Sequence, residues 1–146
     1  MSTPAERYAK FKAEQRTPVL SDFRQLYKFP LDDFQVRACE ALEGGDGVLV
    51  AAPTGSGKTV VGEFAVHLAL EQGRKCFYTT PIKALSNQKF NDLVRRYGPE
   101  KVGLLTGDNS VNGDAPIVVM TTEVLRNMLY ASSQTLLGLG YVVMDE

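Results

Sequence analysis

The chain has no tryptophan, a single histidine and only two cysteines in 146 residues, and its apolar stretches stop well short of a membrane span. Each shortage argues against a class of chemistry. Cys39 and Cys76 lie far apart with no partners at metal-ligand spacing, so both read as reduced packing residues rather than zinc ligands or a disulfide framework. His67 falls inside a helical stretch and reads as a residue at a core margin. Crossing a bilayer takes roughly 18 or more consecutive apolar residues, and the charged N-terminus is unlike a signal peptide. A cytoplasmic protein with no membrane partner is the expectation. An excess of one charge is missing too: 16 Lys and Arg against 17 Asp and Glu leave a net charge of −1, so there is no global basic footprint. That balance neither supports nor excludes a nucleic-acid partner, because single strands are also gripped through loop amides, hydroxyls and helix N-termini.

What the sequence does have is alternation of helix and strand signals. At 44% hydrophobic residues it is long enough for one domain and too short for two of ordinary size. Residues 1–28 read as a helical extension: Thr3, Pro4 and Glu6 make a capping box with proline at the first helical position, and a charged helix runs to about Gln15. Tyr8 and Phe11 on it are three apart and read first as packing on the domain, with facing a partner or staying loosely ordered as the alternatives. Residues 29–146 read as the domain itself. A helix over residues 33–43 carries Phe34, Ala38, Ala41 and Leu42 on one face. Residues 48–51 then read as a strand, and Val60, Val61, Phe64, Ala65 and Leu68 recur at helical spacing until Gly73. Strands are expected over 75–80, 102–105, 117–121 and 141–144, and helices over 83–97 and 122–130, with turns at Asn112, Gly113 and Asp114 to Pro116. Near-continuous apolar strands between helices predict an α/β fold with a mostly parallel sheet.

The most informative segment is Ala52, Pro53, Thr54, Gly55, Ser56, Gly57, Lys58 and Thr59. Chance places this loop pattern in roughly one per cent of chains this long, so its context decides. Here an apolar run precedes it and a helical pattern follows. Such a turn aims backbone N–H groups and a helix N-terminus at one point, which suits a polyphosphate. Gly55 and Gly57 let the backbone curl, Lys58 reaches the β/γ-phosphates, and the Thr59 hydroxyl is offered to Mg²⁺.

Other polar groups fall after the strands, where ligands of such sheets collect. Asp145 and Glu146 follow the apolar run 141–144 in the form of a Walker B site; Asp145 reads as the metal carboxylate and Glu146 as the residue that orients water. Pro81, Lys83, Ser86, Asn87 and Gln88 follow one strand, Thr106, Gly107 and Asp108 the next, and Thr121, Thr122 and Glu123 another. A Thr or Ser at a helix start is ordinarily an N-cap worth about 1 kcal/mol. Three such groups after successive strands could instead form a track for the phosphates of a single strand. Gln35 has the amide geometry that pairs with adenine N6 and N7, while also fitting a capping box with Asp32.

Taken together and in order, the segments 31–35, 52–59, 80–88, 105–108, 120–126 and 143–146 resemble superfamily 2 helicases, most closely the Ski-like DExH group and its actinobacterial HelY-type branch. The resemblance covers about residues 29–146. It implies a RecA-like P-loop NTPase lobe, with Gln35 as the adenine-reading Q motif, Ala52 to Thr59 as motif I, and Asp145 and Glu146 opening motif II. The three strand-end clusters correspond to motifs along the nucleic-acid path. ATP and Mg²⁺ are the implied cofactors; the implied partners are single-stranded nucleic acid, RNA before DNA, held by backbone contacts, and a second RecA-like lobe. Ala52 replaces the first glycine of the strict loop pattern, a common change in this superfamily. The chain also stops at Glu146, short of the DExH histidine, the Ser-Ala-Thr motif and the second lobe. In other P-loop systems an arginine finger supplies roughly 10³ to 10⁵ in rate, so this first lobe alone is expected to be nearly inactive and, with open strand edges, prone to aggregate. A self-contained small kinase and a non-catalytic nucleotide or nucleic-acid binding module are the competing readings.

Overall fold

The two hydrophobic periods of the chain divide it into helices and strands much as they predict. The computed structural model describes residues 3–51, 57–131, 136 and 138–145. In order the elements are α1 (Pro4–Arg16), α2 (Pro18–Arg24), α3 (Asp33–Glu43), α4 (Thr59–Gln72), β1 (Lys75–Thr80), α5 (Lys83–Tyr97), β2 (Val102–Thr106), β3 (Asn109–Val111), β4 (Ile117–Thr121), α6 (Thr122–Tyr130) and β5 (Leu139–Met144). They fall into two compact units, Met1–Leu68 and Ala69–Glu146.

The second unit is built on one sheet of order β3-β2-β4-β1-β5. All pairings are parallel except the β2–β3 hairpin, so the sheet is mixed but mostly parallel, as expected for this class. Strands β1 and β4 are almost wholly buried, which is why they read as continuous apolar runs rather than alternating ones. Phe77, Val118, Met120 and Leu125 form a core on the face covered by α6. Side chains alternate across a strand, so Tyr78 points to the opposite face, where Lys89 of α5 lies over its ring. The helices lie on opposite faces because their crossovers run in opposite directions, β1 to β2 and β4 to β5, and such connections keep one hand. That reversal puts a switch point beside β1. Gly103 is required by close approach: a Cβ there would lie 2.1 Å from the Asn112 carbonyl oxygen across the hairpin.

The first unit is helical. Val60, Val61, Phe64, Ala65 and Leu68 are all buried, as is Val66, so the start of α4 is apolar on most sides. Cys39 is buried without a disulfide, and burial pushes its thiol up to about 12; in the second unit Cys76 is likewise held up to about 12.

Three expectations change here. Residues 48–51 form no strand, and Leu49 is 94% exposed: an apolar run becomes a strand only beside a ladder partner, and no described strand pairs with it. Tyr8 and Phe11 do not pack, being 62% and 55% exposed on a helix whose remaining face is charged. The boundary at residue 28 cuts through packed structure, because α2, absent from the sequence reading, buries Leu20 and Phe23.

Candidate functional site

In the first unit, Gln35 at the third position of α3 is 4% exposed. Its Oε1 accepts from the Asp32 backbone N–H at 2.8 Å, the glutamine half of a capping box. Its Nε2 donates to the carbonyl of Gly57 at 2.9 Å, which ties α3 to the backbone just before α4. Gly57 has φ +90°, and a Cβ there would lie 2.5 Å from that same Nε2, so glycine is needed twice over. A primary amide has two N–H donors and two acceptor lone pairs, so these two bonds use one donor and one acceptor site of Gln35. Lys58 and Thr59 are exposed at the N-terminus of α4, the end that favours anions. The expectations for Ala52, Pro53, Thr54, Gly55, Ser56 and Glu146 lie outside the described residues.

In the second unit the remaining groups gather at the carboxyl edge of the sheet. Thr80 and Thr121 are direct register partners, and Thr106 lies one residue beyond the Leu105–Met120 pair. Asp145 follows β5 on the same edge, where its backbone N–H donates to the Thr79 carbonyl at 3.0 Å. The Tyr78 hydroxyl donates to Asp145 Oδ2 at 2.6 Å. Sequence reading missed Tyr78, although a tyrosine inside a buried strand is itself a signal, since its hydroxyl must find a partner.

The three strand-end clusters divide into exposed groups and supports. Pro81, Lys83, Gln88, Gly107, Asp108, Thr122 and Glu123 are exposed, and Asn87 and Thr121 are half-buried. Ser86 is fully buried, 2.7 Å from the Thr80 hydroxyl, and braces the start of α5 from within, so it is not a direct contact. Thr106 is buried as well, its hydroxyl 3.4 Å from Asp108. Thr121 caps α6 by accepting from the Val124 N–H at 3.4 Å, and Thr122 donates to the Thr80 carbonyl at 3.2 Å. Lys83 pairs with Asp108, at the tip of the β2–β3 hairpin. The Lys83 ammonium, chiefly by its hydrogen bond and then by its charge, holds the Asp108 carboxyl below the usual carboxylate range. A depressed carboxyl pKa means that the ion pair is complete at neutral pH and is lost only as pH falls through that lowered value.

The DEAD/DEAH box helicase family matches residues 32–146. The chain belongs to this family. It is 73% identical over 127 residues to the probable helicase HelY of Mycobacterium tuberculosis (strain CDC 1551 / Oshkosh), covering 87% of this chain and 14% of that protein. It is 50% identical over 133 residues to the DExH-box ATP-dependent RNA helicase DExH15, chloroplastic, of Arabidopsis thaliana, covering 87% of this chain and 11% of that one. With the antiviral helicase SKI2 of Saccharomyces cerevisiae the identity is 44% over 135 residues, 92% of this chain and 10% of the relative. The chain therefore spans about a seventh of the mycobacterial helicase, or less of the others. Among the described residues no helix is long and apolar enough to cross a membrane.

The donor set in this helicase lobe also bears on the metal. Among the described residues no three His, Cys, Asp or Glu side chains are grouped to hold an ion. The Thr59 hydroxyl and Asp145 carboxylate are hard oxygen donors, and Mg²⁺ is commonly held by one or two protein oxygens together with substrate phosphates. Each of these donors, taken by itself, suits a cation carried in with a nucleotide.

Proposed function

We propose that this chain supplies the ATP-binding first lobe of an ATP-dependent RNA helicase. The observation that carries the proposal is that Asp145 shares one sheet edge with the strand-end clusters of β1, β2 and β4. Chemistry on a triphosphate and contact with a strand thus draw on a single rigid element. In this reading Gln35 selects adenine, residues 52–59 cradle the phosphates with Lys58 on the β/γ oxygens, and Thr59 and Asp145 hold the Mg²⁺. Bound Mg²⁺ supplies charge neutralisation on the β/γ-phosphates. Glu146 orients the attacking water. Lys83, Gln88, Gly107 and Thr122, the exposed donors among the three clusters, hold phosphates of a single strand without reading bases, which leaves sequence unspecified. RNA is favoured over DNA because relatives such as DExH15 and mtr4 are named RNA helicases. A second RecA-like lobe closes the cleft; the lobe alone binds nucleotide with little turnover and works in the cytoplasm.

The test is hydrolysis of ATP by the helicase carrying this lobe, with and without homopolymeric single-stranded RNA. Stimulation by any base sequence is the expected result. Hydrolysis indifferent to RNA, or transfer to a small acceptor, overturns the reading in favour of a kinase-like NTPase, and tight Mg·ATP binding without turnover in favour of a binding module.

The Lys83–Asp108 pair gives a sharper expectation. Asp108 holds the cation that a strand phosphate needs, and an ionised carboxylate has no proton to donate to a phosphate oxygen. Asp108→Asn is expected to strengthen single-strand binding and steepen its logarithmic salt dependence by about 0.7, the value of one released counterion on a single strand. Fluorescence anisotropy across a salt series reads this directly, and an unchanged slope removes Lys83 from the track.

A further inference from the structure

Tyr78 is 0% exposed in the middle of the sheet, yet carries a hydroxyl, and a buried hydroxyl must be spent. Phenylalanine would fill the same space without that obligation. The hydroxyl goes to Asp145 Oδ2 at 2.6 Å, within the short range of an O–H donor on a carboxylate. The next residue, Thr79, accepts the Asp145 backbone N–H at 3.0 Å and donates its own hydroxyl to the Val143 carbonyl at 3.0 Å. Two consecutive residues of β1 thus fix both the main chain and the carboxylate plane of Asp145. A carboxylate has about four acceptor sites, so one bond from Tyr78 orients the group without exhausting it.

The other face of Tyr78 is equally specific. Lys89 is 8% exposed, and its Nζ lies 5.0 Å from the centroid of the Tyr78 ring. Lysine is rarely buried this far unless it is paired. Lys89 belongs to α5, three residues after Ser86, which joins Thr80, and six after Lys83. The carboxyl half of β1 is therefore held between α5 and Asp145.

We propose that Tyr78 is the positioning residue of the metal-binding carboxylate, setting the plane of Asp145, and that Lys89 ties this plane to helix α5. The proposal rests on the reading of Asp145 as a Mg²⁺ carboxylate. It gives a physical route from a strand seated against the start of α5 to the nucleotide chemistry: a shift of α5 carries Lys89, the tyrosine ring and the acidic side chain with it. Groups of this kind, hydrogen-bonded to a metal ligand, change metal affinity by about 10- to 100-fold when removed.

The test measures affinity for a non-hydrolysable ATP analogue as a function of Mg²⁺ concentration, in the helicase carrying this lobe. Tyr78→Phe keeps the ring and the packing, and is expected to reduce the Mg²⁺ enhancement about tenfold while leaving metal-free affinity unchanged. Asp145→Asn removes the enhancement, and Tyr78→Phe added to it changes nothing further, as two residues acting through one carboxylate require. Lys89→Met is expected to act in the same direction by about threefold. Wild-type Mg²⁺ dependence in Tyr78→Phe, beside its loss in Asp145→Asn, overturns the positioning role and leaves the metal reading intact. Additive effects in the double variant, or an equal loss of metal-free affinity, also overturn it by showing a structural role. Wild-type Mg²⁺ dependence in Lys89→Met removes the link to α5. A parent protein with no Mg²⁺-dependent nucleotide binding overturns both readings.

Discussion

Lys58→Ala in the helicase carrying this lobe is expected to lower ATP hydrolysis by about 10²- to 10³-fold while changing single-strand affinity by no more than about twofold. The size follows from what is removed. A preorganised positive group aimed at charge that builds on the γ-phosphate is worth roughly as much as an oxyanion-hole donor, about 3 to 4 kcal/mol. Lys58 is exposed at the start of α4, and exposed substitutions away from packed features ordinarily shift stability by less than about 0.5 kcal/mol, so lost activity does not signify lost folding. Strand affinity is spared because the proposed contacts lie on β1, β2, β4 and their following loops, in the other compact unit. Lys58→Arg is a useful companion: it keeps the charge but spreads it over a planar fork, and is expected to recover only part of the rate. Steady-state hydrolysis and fluorescence anisotropy on the same preparations separate the two effects. Retained hydrolysis in Lys58→Ala removes the phosphate-loop role altogether.

Legibility in the sequence tracked how local each cause was. β1, α5, β4 and α6 fall where the apolar pattern places them, because each is long, buried on a defined face and bounded by a strong signal such as Gly73 or Pro81. β3 is three exposed residues with no apolar pattern, and only the intervening Gly107 and Asp108 hinted at a two-residue hairpin. α2 begins at Pro18, a start signal, but its Leu20 N–H is taken by Glu43 Oε1 at 2.8 Å from 23 residues away. Burial there pushes the Glu43 carboxyl above its usual range, although the N–H donors oppose the shift. No local window contains such a tie. The site divides the same way. Gln35 was visible as both a capping residue and a base reader, and the structure shows the capping half together with a bond to Gly57 that spacing alone does not reveal. Ser86 looked like a contact because sequence cannot tell which hydroxyls at a helix start face inward. Tyr78 was passed over because its partner lies 67 residues on.

Phe23→Ala is expected to cost about 3 to 5 kcal/mol of folding stability, the range for removing a fully buried aromatic side chain. Phe23 is 0% exposed and lies edge-on to Tyr27 at 5.2 Å and to Phe64 at 5.3 Å, with the tilted ring of His67 at 5.4 Å. Edge-to-face pairs add about 0.5 to 1.5 kcal/mol beyond the area they bury. Tyr8→Ala provides the contrast. Its ring is 62% exposed, so its removal is expected to shift stability by less than about 0.5 kcal/mol. Urea unfolding at equilibrium distinguishes the two through the midpoint, provided the slope is unchanged. The comparison decides where the domain begins. If residues 1–28 were only an extension, both substitutions would be nearly silent, and a chain starting at residue 29 would unfold at the same urea concentration. If α2 belongs to the core, deletion up to residue 16 is tolerated and deletion up to residue 28 is not. Set against a typical domain stability of about 5 to 15 kcal/mol, the loss of Phe23 alone removes between a fifth and all of the margin that keeps such a unit folded.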